Sequence, residues 1–372
     1  GSQIFDSAGG KTGKFRESIV RRENKMKAAV LYGPEDLRYE TVDTPECPDR
    51  GTLLQTIACG ICGSDLRTYG GGCSRGQYPS ISGHEIAGEV EESKNEKFPK
   101  GMKLSIAPVI PCGKCWFCKN GIQNQCDDMR MIGTAEGIPG GFAEYVSFTK
   151  DMLENGCFNE IPEGVDPIET VIAETASSVL NAQINTNIVM EDLVVVIGAG
   201  TIGCLHSEIA KIRGTKEVII AEMNPDKAEL ARKQGFDNVY TMSSSAPELK
   251  ELVMEKTGGK GADTVICACP VGQAQADAVN LARKRGKVIF FGGISSKSAV
   301  IIDTNAIHYK EITVYGASAY SPEVNRQALN LVLSGQLDAK KFITNRYALK
   351  DLSKGYKEMR QGKMIKGVVV FE

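Results

Sequence analysis

Four cysteines lie close together in the sequence, as Cys112-x-x-Cys115-x-x-Cys118 followed by seven residues and Cys126. Four thiolates in one short segment can close a tetrahedral zinc site with no open coordination position, which is the arrangement of a structural zinc. An iron–sulfur cluster is the alternative, but the bacterial ferredoxin run has a shorter final gap and a proline after its fourth cysteine, whereas Asp127 follows here. The spacing therefore favours zinc.

A second set of metal-ligand residue types is spread more widely. Cys62 lies in the stretch GICGSD at 60–65, and His84 and Glu85 follow Gly83. A thiolate, an imidazole and a carboxylate are ligands that a catalytic zinc accepts, and three protein ligands leave a position for water or substrate. Taken alone, these residues are also compatible with an ordinary buried core. They form a candidate catalytic zinc site.

A Gly-x-Gly-x-x-Gly turn follows the apolar run at 194–197. Its residues are Gly198, Ala199, Gly200, Thr201, Ile202 and Gly203. Between a strand and a helix, such a turn lets a pyrophosphate approach backbone N–H groups at the helix N-terminus. The sequence therefore predicts a dinucleotide site, although the same turn also occurs in α/β proteins that bind no nucleotide.

Glu222 ends the next apolar strand, nineteen residues after Gly203. A carboxylate there accepts hydrogen bonds from both adenosine ribose hydroxyls and repels a 2′-phosphate, which favours NAD over NADP. Lys227 is expected to help hold the same hydroxyls. The alternative for Glu222 is a solvated charge at a strand end.

Two kinds of element pattern are needed to position these residues. From Met26 to about Phe148, beginning with a strand at 27–32, short strands are separated by Gly and Pro, which predicts an irregular β domain. After about Thr175 strands and helices alternate, which predicts a parallel sheet with helices on both faces. The alternating segments are 193–197, 199–213, 217–222, 226–234, 264–268, 273–281 and 287–291. A helical stretch at 322–333 and a strand at 367–371 are free to return to the first domain.

Bulk composition limits the classes of function. With 372 residues, 42% of them hydrophobic, the chain should form two domains. A formal net charge of −2 gives no basic field for a nucleic acid, so a small molecule is the expected partner.

No apolar run reaches the roughly 20 residues of a membrane span, and no signal peptide is evident. Twelve cysteines are too few for a disulfide scaffold of this length. A cytoplasmic protein is expected, with residues 1–25 as an expression scar and disordered tail.

These motifs occur in the order and spacing of zinc-containing medium-chain dehydrogenases, and from Met26 to Glu372 the chain resembles the polyol branch, of the sorbitol or L-iditol type. The resemblance implies an α/β protein with a GroES-like β-barrel catalytic domain at 26–176, completed by 318–372. A Rossmann domain with a doubly wound parallel sheet would occupy 177–317. The resemblance also implies NAD, one catalytic and one structural zinc per chain, and a homodimer or homotetramer.

The same resemblance assigns roles at the candidate catalytic zinc site. Cys62, His84 and Glu85 match the zinc ligands of the polyol branch. Glu174 matches a fourth ligand or a carboxylate that holds the zinc-bound water. Family members usually continue with proline after this glutamate, whereas this chain has Thr175, so the geometry of Glu174 is left open.

Three further residues near Cys62 acquire roles by resemblance. Ser64 matches the hydroxyl of a proton relay, and Asp65 is expected to orient His84. Arg67 stands where many relatives carry a histidine that completes the relay, and an arginine cannot release a proton. It is instead a candidate to pair with an anionic group on the substrate, such as a phosphate; a solvated surface charge is the alternative.

The implied reaction is zinc-dependent hydride transfer between NAD and a secondary alcohol of a polyol or sugar alcohol, with or without a phosphate, to give a ketose. The Arg-Tyr pair of sorbitol-type enzymes is replaced by other residues at 315–318, so sorbitol itself is not specified. A threonine-type or simple secondary-alcohol dehydrogenase is the alternative within the family. A nucleotide-binding protein without catalysis is the alternative outside it, and would predict loss of the ligands at Cys62, His84 and Glu85.

Overall fold

The computed structural model describes residues 25–72, 77–134, 137–294 and 300–372. The expected tail at 1–25 lies outside these residues except for Lys25, which begins the first strand. None of the helices in the described ranges is long and apolar enough to cross a membrane.

The chain forms three successive groups of elements. The first contains β1 (Lys25–Gly33), β2 (Asp36–Asp43), β3 (Thr52–Ile61), α1 (Gly63–Tyr69), β4 (Ser80–Ile81), β5 (Glu85–Ser93), β6 (Lys103–Ala107), β7 (Val109–Ile110), α2 (Trp116–Lys119), β8 (Arg130–Met131), β9 (Tyr145–Phe148), α3 (Lys150–Asn155), β10 (Cys157–Glu160), α4 (Pro167–Thr170) and α5 (Ile172–Asn185). The second contains β11 (Leu193–Ile197), α6 (Thr201–Ile212), β12 (Glu217–Glu222), α7 (Pro225–Lys233), β13 (Val239–Thr241), α8 (Pro247–Lys256), β14 (Ala262–Cys267), α9 (Gly272–Leu281), β15 (Ala282–Phe290), α10 (Thr304–Lys310) and β16 (Thr313–Gly316). The third contains α11 (Pro322–Leu333), β17 (Ile343–Tyr347), α12 (Leu352–Arg360) and β18 (Lys366–Val370).

The first sheet has the order β10-β6-β5-β3-β18-β17, with β9 also paired to β3. Strands β3 and β5 are antiparallel, with Gly60 opposite Glu85. Because β3 is central, its side chains are buried along nearly its whole length. This register places the end of β3 beside the start of β5, where the candidate zinc ligands lie.

The second sheet has the order β13-β12-β11-β14-β15-β16, and all its pairs are parallel. This is the strand order of a Rossmann sheet, which reverses between β11 and β14. Every side chain of β11 is buried. Val194 and Val196 pack on one face with residues of α5, α6 and α11, whereas Val195 and Ile197 pack on the other with residues of α8 and α9. A continuous apolar run is therefore required, since both faces are covered by helices.

The last strand returns to the first sheet. β18 pairs antiparallel with β3, with Gly367 opposite Ile61, and parallel with β17. Helix α5 follows the strands of the first sheet and precedes β11, so it connects the first sheet to the second. The expected domain boundary at 176 to 177 falls within α5, whose first turn carries Glu174 and whose later residues pack on the Rossmann core.

Candidate active site and metal centres

Cys62, His84 and Glu85 come together at the end of β3 and the start of β5. Cys62 is the N-cap residue of α1, directly after β3. One ligand atom from each residue lies within 4.8 Å of the other two. His84 and Glu85 are buried, whereas Cys62 is partly exposed. The three side chains therefore face a common point that remains accessible from one side.

The Asp65 carboxylate lies beside the His84 imidazole. This carboxylate accepts a hydrogen bond from the backbone N–H of Cys62 at 2.9 Å and lies 3.2 Å from His84 Nδ1. Because Nδ1 faces this carboxylate, Nε2 is the nitrogen left for a ligand. The Ser64 hydroxyl oxygen is 3.3 Å from His84 Nε2, beside the cluster.

The electrostatics of this cluster fit a cation. Burial opposes a charge on the imidazole, yet the neighbouring Asp65 carboxylate and Cys62 sulfur raise the pKa of His84 well above its usual value. The carboxylates of Asp65 and Glu85, beside the Cys62 sulfur, give the site a negative charge that favours a cation. The donor set and this charge together fit a zinc ion with an open coordination position.

Glu85 has partners that the sequence analysis missed. The Thr175 hydroxyl donates to Glu85 Oε1 at 2.9 Å, and the Lys366 ammonium lies within hydrogen-bond distance of the same carboxylate. Lys366 Nζ is also 3.2 Å from the Thr175 hydroxyl oxygen. Although burial opposes a charged ammonium, Glu85 raises the pKa of Lys366 above its usual value. The only signal in the sequence was one lysine at the start of an apolar strand.

A glycine makes room for the Glu85 carboxylate. A Cβ atom at Gly60 would lie 1.8 Å from Glu85 Oε2. The carboxylate is therefore enclosed by the backbone of β3, by Thr175 on α5 and by Lys366 on β18. Thr175 fills this enclosure with a polar contact.

Glu174 is not a member of the three-residue cluster among the described residues. Its carboxylate instead accepts a hydrogen bond from the buried Tyr320 hydroxyl at 2.7 Å. Burial raises the pKa of Glu174, with a further contribution from Glu85, while His84 and this hydroxyl act in the opposite direction. Glu174 thus lies close enough to interact electrostatically with His84 and Glu85 of the cluster.

Arg67 lies on α1 and is exposed. Among the described residues no hydrogen bond or ion pair involves its guanidinium, whereas its backbone carbonyl accepts from the N–H of Gly72 at 2.8 Å. The charge is therefore available at the surface, about one and a half turns along α1 from Cys62.

The four cysteines of the lobe between β7 and β8 also come together, as the sequence predicted. The sulfurs of Cys112 and Cys118 are 4.0 Å apart, those of Cys115 and Cys126 are 3.9 Å apart, and all four lie within 4.8 Å of one another. A tetrahedral site with Zn–S bonds of about 2.3 Å requires sulfur separations of about 3.8 Å. The sulfurs thus fit a closed zinc site.

Backbone N–H groups stabilise thiolates in this lobe. The N–H of Cys115 points to the Cys112 sulfur at 3.3 Å, and that of Cys118 to the Cys115 sulfur at 3.5 Å. The N–H groups of Cys118 and Asp127 lower the pKa of Cys115 to about 6, and those of Lys114 and Cys115 lower the pKa of Cys112. Burial raises the pKa of Cys126 and raises that of Cys118 to about 12. Thiolates are the zinc-binding form, so the first two cysteines are prepared to bind.

The glycine turn has the geometry of a dinucleotide site. Gly198 has a φ of 110°, which favours glycine, and Gly200 is the N-cap residue of α6. A Cβ atom at Gly203 would lie 1.8 Å from the Gly198 carbonyl oxygen. The Thr201 hydroxyl donates to the carbonyl of residue 365, and Ile202 packs on the Rossmann core. Thr201 therefore connects the turn to the C-terminal return.

Glu222 lies where β12 ends beside the glycine turn. Its carboxylate accepts from the backbone N–H of Ala199 at 2.9 Å and from that of Asn224 at 2.8 Å. Each carboxylate oxygen retains a second lone pair for a ribose hydroxyl. Lys227, in the first turn of α7, packs its aliphatic chain against Gly362. The structure thus places the carboxylate and the ammonium on neighbouring elements near the turn.

Comparisons with known proteins agree with this geometry. Residues 48–156 match the alcohol dehydrogenase GroES-like domain, and residues 201–334 match the zinc-binding dehydrogenase domain. The chain is 31% identical to erythritol/L-threitol dehydrogenase of Mycolicibacterium smegmatis, over 91% of this chain and 95% of that protein. It is also 31% identical to a sorbitol dehydrogenase of Halalkalibacterium halodurans, over 92% of this chain and 98% of that protein.

A solved structure is similar over nearly its whole length. A zinc-binding dehydrogenase from Sinorhizobium meliloti, bound to NADP, has a TM-score of 0.82 and 27% identity, covering 93% of this chain and 99% of that one. The chain therefore belongs to the family of zinc-binding alcohol dehydrogenases with a GroES-like domain. The fold class expected from the sequence, a GroES-like domain with a Rossmann sheet, is confirmed, and so is the expectation of an enzyme.

Proposed function

We propose that this chain is a zinc-dependent, NAD-linked dehydrogenase that interconverts a secondary hydroxyl of a polyol or sugar alcohol and the corresponding ketose. The observation that carries the proposal is the accessible cluster of Cys62, His84 and Glu85 in a chain that also has the family's dinucleotide turn. Two relatives with 31% identity act, by their names, on polyols. A protein that binds a nucleotide without catalysing a reaction would not need all three metal ligands of this cluster.

The residues of the cluster divide the work of the reaction. Cys62, His84 and Glu85 would hold a zinc ion, which when bound lowers the pKa of a coordinated alcohol. Asp65 keeps His84 Nδ1 engaged, so that Nε2 faces the site. The Ser64 hydroxyl is positioned to accept the proton that leaves the substrate hydroxyl.

Glu174 supplies the remaining polar group of the site. Held by Tyr320, its carboxylate would fix a water molecule or serve as a further ligand. Since Arg67 cannot accept a proton, the proton passed to Ser64 would leave directly to solvent.

The choice of NAD rests on Glu222. A dinucleotide held at this turn would supply the hydride-transfer chemistry. The Glu222 carboxylate would accept hydrogen bonds from the adenosine ribose hydroxyls, assisted by Lys227, and would repel a 2′-phosphate. The turn at Gly198 and Gly200 would receive the pyrophosphate, and Gly203 would let α6 pack close to β11.

Arg67 is proposed to recognise an anionic group on the substrate. Its exposed guanidinium has no partner in the described parts of the chain and lies on the helix that begins at Cys62. Such a group binds phosphate or carboxylate with two parallel hydrogen bonds. A polyol phosphate is accordingly included among the expected substrates.

The test is reduction of NAD and NADP across neutral polyols, polyol phosphates, threonine and simple secondary alcohols. We expect activity with NAD on a polyol, abolished in Cys62→Ser and retained in a Cys47→Ser control, since Cys47 is buried away from the cluster. Activity confined to threonine or simple alcohols would replace the substrate assignment. Silence across the panel in zinc-loaded protein would overturn it.

Elemental analysis tests the metal assignment separately. Two complete ligand sets should give about two zinc ions per chain, and about one in either Cys62→Ser or Cys112→Ser. A wild-type value near one would remove one of the two sites, and the variants would identify which.

The remaining assignments are assembly, location and domain limits. We propose a homodimer or homotetramer in the cytoplasm, with a catalytic domain at 26–176 and 318–372 and a Rossmann domain at 177–317. The free thiols of the eleven cysteines within the described ranges support a reducing compartment. Light scattering of the zinc-loaded protein gives the assembly, and a monomer mass would contradict it.

A further inference from the structure

Two cysteines that the proposed reaction does not use stand together at the end of β14. Cys267 is the last residue of this strand, and Cys269 follows in the loop before α9. Their sulfurs are 4.0 Å apart. Cys267 is fully buried, whereas Cys269 is partly exposed. A disulfide needs sulfurs at about 2.05 Å, so the pair requires an approach of about 2 Å.

The two thiols differ in acidity in a way that suits oxidation. A hydrogen bond from Cys267 lowers the pKa of Cys269, and the backbone N–H of Val271 contributes in the same direction. The same hydrogen bond, together with burial, raises the pKa of Cys267. Cys269 is therefore the more thiolate-like and the more exposed member, while Cys267 retains its proton.

The pair adjoins the dinucleotide turn. A Cβ atom at Gly198 would lie 3.5 Å from the Cys269 Cβ, and one at Gly292 would lie 2.4 Å from the Cys269 carbonyl oxygen. The charges of Glu222 and Lys227 both act on Cys269. The pair therefore lies at the point between β11 and β14 where the strand order reverses and a dinucleotide is expected to bind.

We propose that Cys267 and Cys269 form a redox-modification site that reacts with a hydroperoxide, and that the oxidised pair weakens dinucleotide binding at the adjoining turn. The Cys269 thiolate attacks one peroxide oxygen; an S–O bond forms, the O–O bond breaks, and the other oxygen leaves with a proton as water or an alcohol. The Cys267 thiol then attacks the sulfenic sulfur; the S–S bond forms, and the hydroxyl leaves as water with the Cys267 proton. Two thiols lose two electrons, which the peroxide gains.

A single proteolytic peptide reports on the pair. Cleavage after Lys260 and Arg283 releases residues 261–283, which contain Cys267 and Cys269 and no other cysteine. Zinc-loaded protein is treated with stoichiometric hydrogen peroxide, with and without saturating NAD, and the remaining thiols are alkylated. We expect this peptide to lose two hydrogens and both alkylation sites, more slowly when NAD is bound, and to recover with dithiothreitol.

The functional readout is the dissociation constant for NAD, measured by titration calorimetry. We expect oxidation to raise it about tenfold, which corresponds to about 1.4 kcal/mol, and reduction to restore it. Zinc content is measured on the same samples, because oxidation of the four-cysteine lobe would release zinc and must be distinguished from oxidation of the pair.

Two variants separate the pair from the other cysteines. Cys267→Ala cannot form the disulfide, so with a second equivalent of peroxide Cys269 should proceed from sulfenic to sulfinic acid, and dithiothreitol should no longer restore NAD affinity. Cys47→Ala removes another buried cysteine and should respond as the wild type does. Intact thiols in the peptide at a peroxide dose that releases zinc would overturn the proposal, as would a disulfide that leaves NAD affinity unchanged. The inference rests on the proposed use of NAD; failure of reduced protein to bind NAD would instead contradict the proposed function.

Discussion

His84 has two ring nitrogens with different environments, and Asp65 accounts for the difference. The carboxylate faces Nδ1 at 3.2 Å and also accepts from the N–H of Cys62. We expect Asp65→Asn to weaken zinc retention about 10- to 100-fold, because the neutral amide keeps the helix contact but loses the charge that orients the imidazole. Competition with a chelator measures the affinity. Asp166→Asn, at the N-cap of α4, is the control. Unchanged zinc affinity in Asp65→Asn would leave Asp65 with a purely local role.

Glu222 permits a separate test of cofactor choice. In Glu222→Gln one oxygen is lost as an acceptor, so the backbone N–H groups and the ribose hydroxyls must compete for the other. We expect KM for NAD to rise about tenfold, the equivalent of one lost charged hydrogen bond, with kcat little changed and KM for NADP less affected. Steady-state kinetics with both cofactors give the answer. Asp226→Asn, an exposed acid on α7, is the control. Equal changes for NAD and NADP would mean that Glu222 supports the turn without discriminating.

The sequence predicted the candidate ligands at residue scale but not the groups around them. Cys62, His84 and Glu85 were identifiable because few residue types bind zinc and their motifs are compact. Lys366 was missed because it contacts Glu85 across 281 positions of sequence, and a single lysine before an apolar strand has the appearance of a surface charge. No local pattern reports such a contact.

At the scale of elements, the glycine turn makes the strictest steric demand. A Cβ atom at residue 203 would lie 1.8 Å from a backbone oxygen, which a rotamer change cannot relieve. We expect Gly203→Ala to lower the free energy of unfolding by about 1–3 kcal/mol and to weaken NAD binding at least tenfold, because helix α6 must move away from β11. Urea unfolding and calorimetry measure the two effects. Gly316→Ala, where a Cβ atom meets nothing within 4 Å, is the control. Normal NAD affinity in Gly203→Ala would show that the turn tolerates this displacement.

Elements with a strong hydrophobic pattern were predicted from the sequence, whereas elements with a weak pattern were not. The five-residue run of β11 and the turn after it were evident from the sequence. The edge strand β13 has only three residues, and α8 follows a run of three serines at 243–245, so neither was anticipated. Their structure depends on packing against the sheet more than on local propensity.

At the scale of the whole molecule, the C-terminal segment returns to the first sheet and forms a buried ion pair there. The C-terminal strand β18 pairs with β3 and delivers Lys366 to Glu85, with Thr175 of α5 between them. The site therefore requires three distant parts of the sequence, although only two of them carry recognisable motifs. This dependence explains how a return segment without motifs contributes to the active site.

The same closure predicts that zinc and Lys366 substitute for one another in stabilising Glu85. In zinc-free protein, Lys366→Met leaves a buried carboxylate without a cation, and we expect the free energy of unfolding to fall by about 3–5 kcal/mol. With zinc bound the loss should be smaller, since the metal offsets the same charge, and Glu85→Gln should restore most of the stability of the zinc-free variant. Urea unfolding with and without a chelator is measured for the wild type, for Lys366→Met and for the double variant. Lys363→Met, which changes an exposed lysine just before β18, is the control. An equal loss in both zinc states, without recovery in the double variant, would mean that Lys366 acts through packing of β18 and not through its charge.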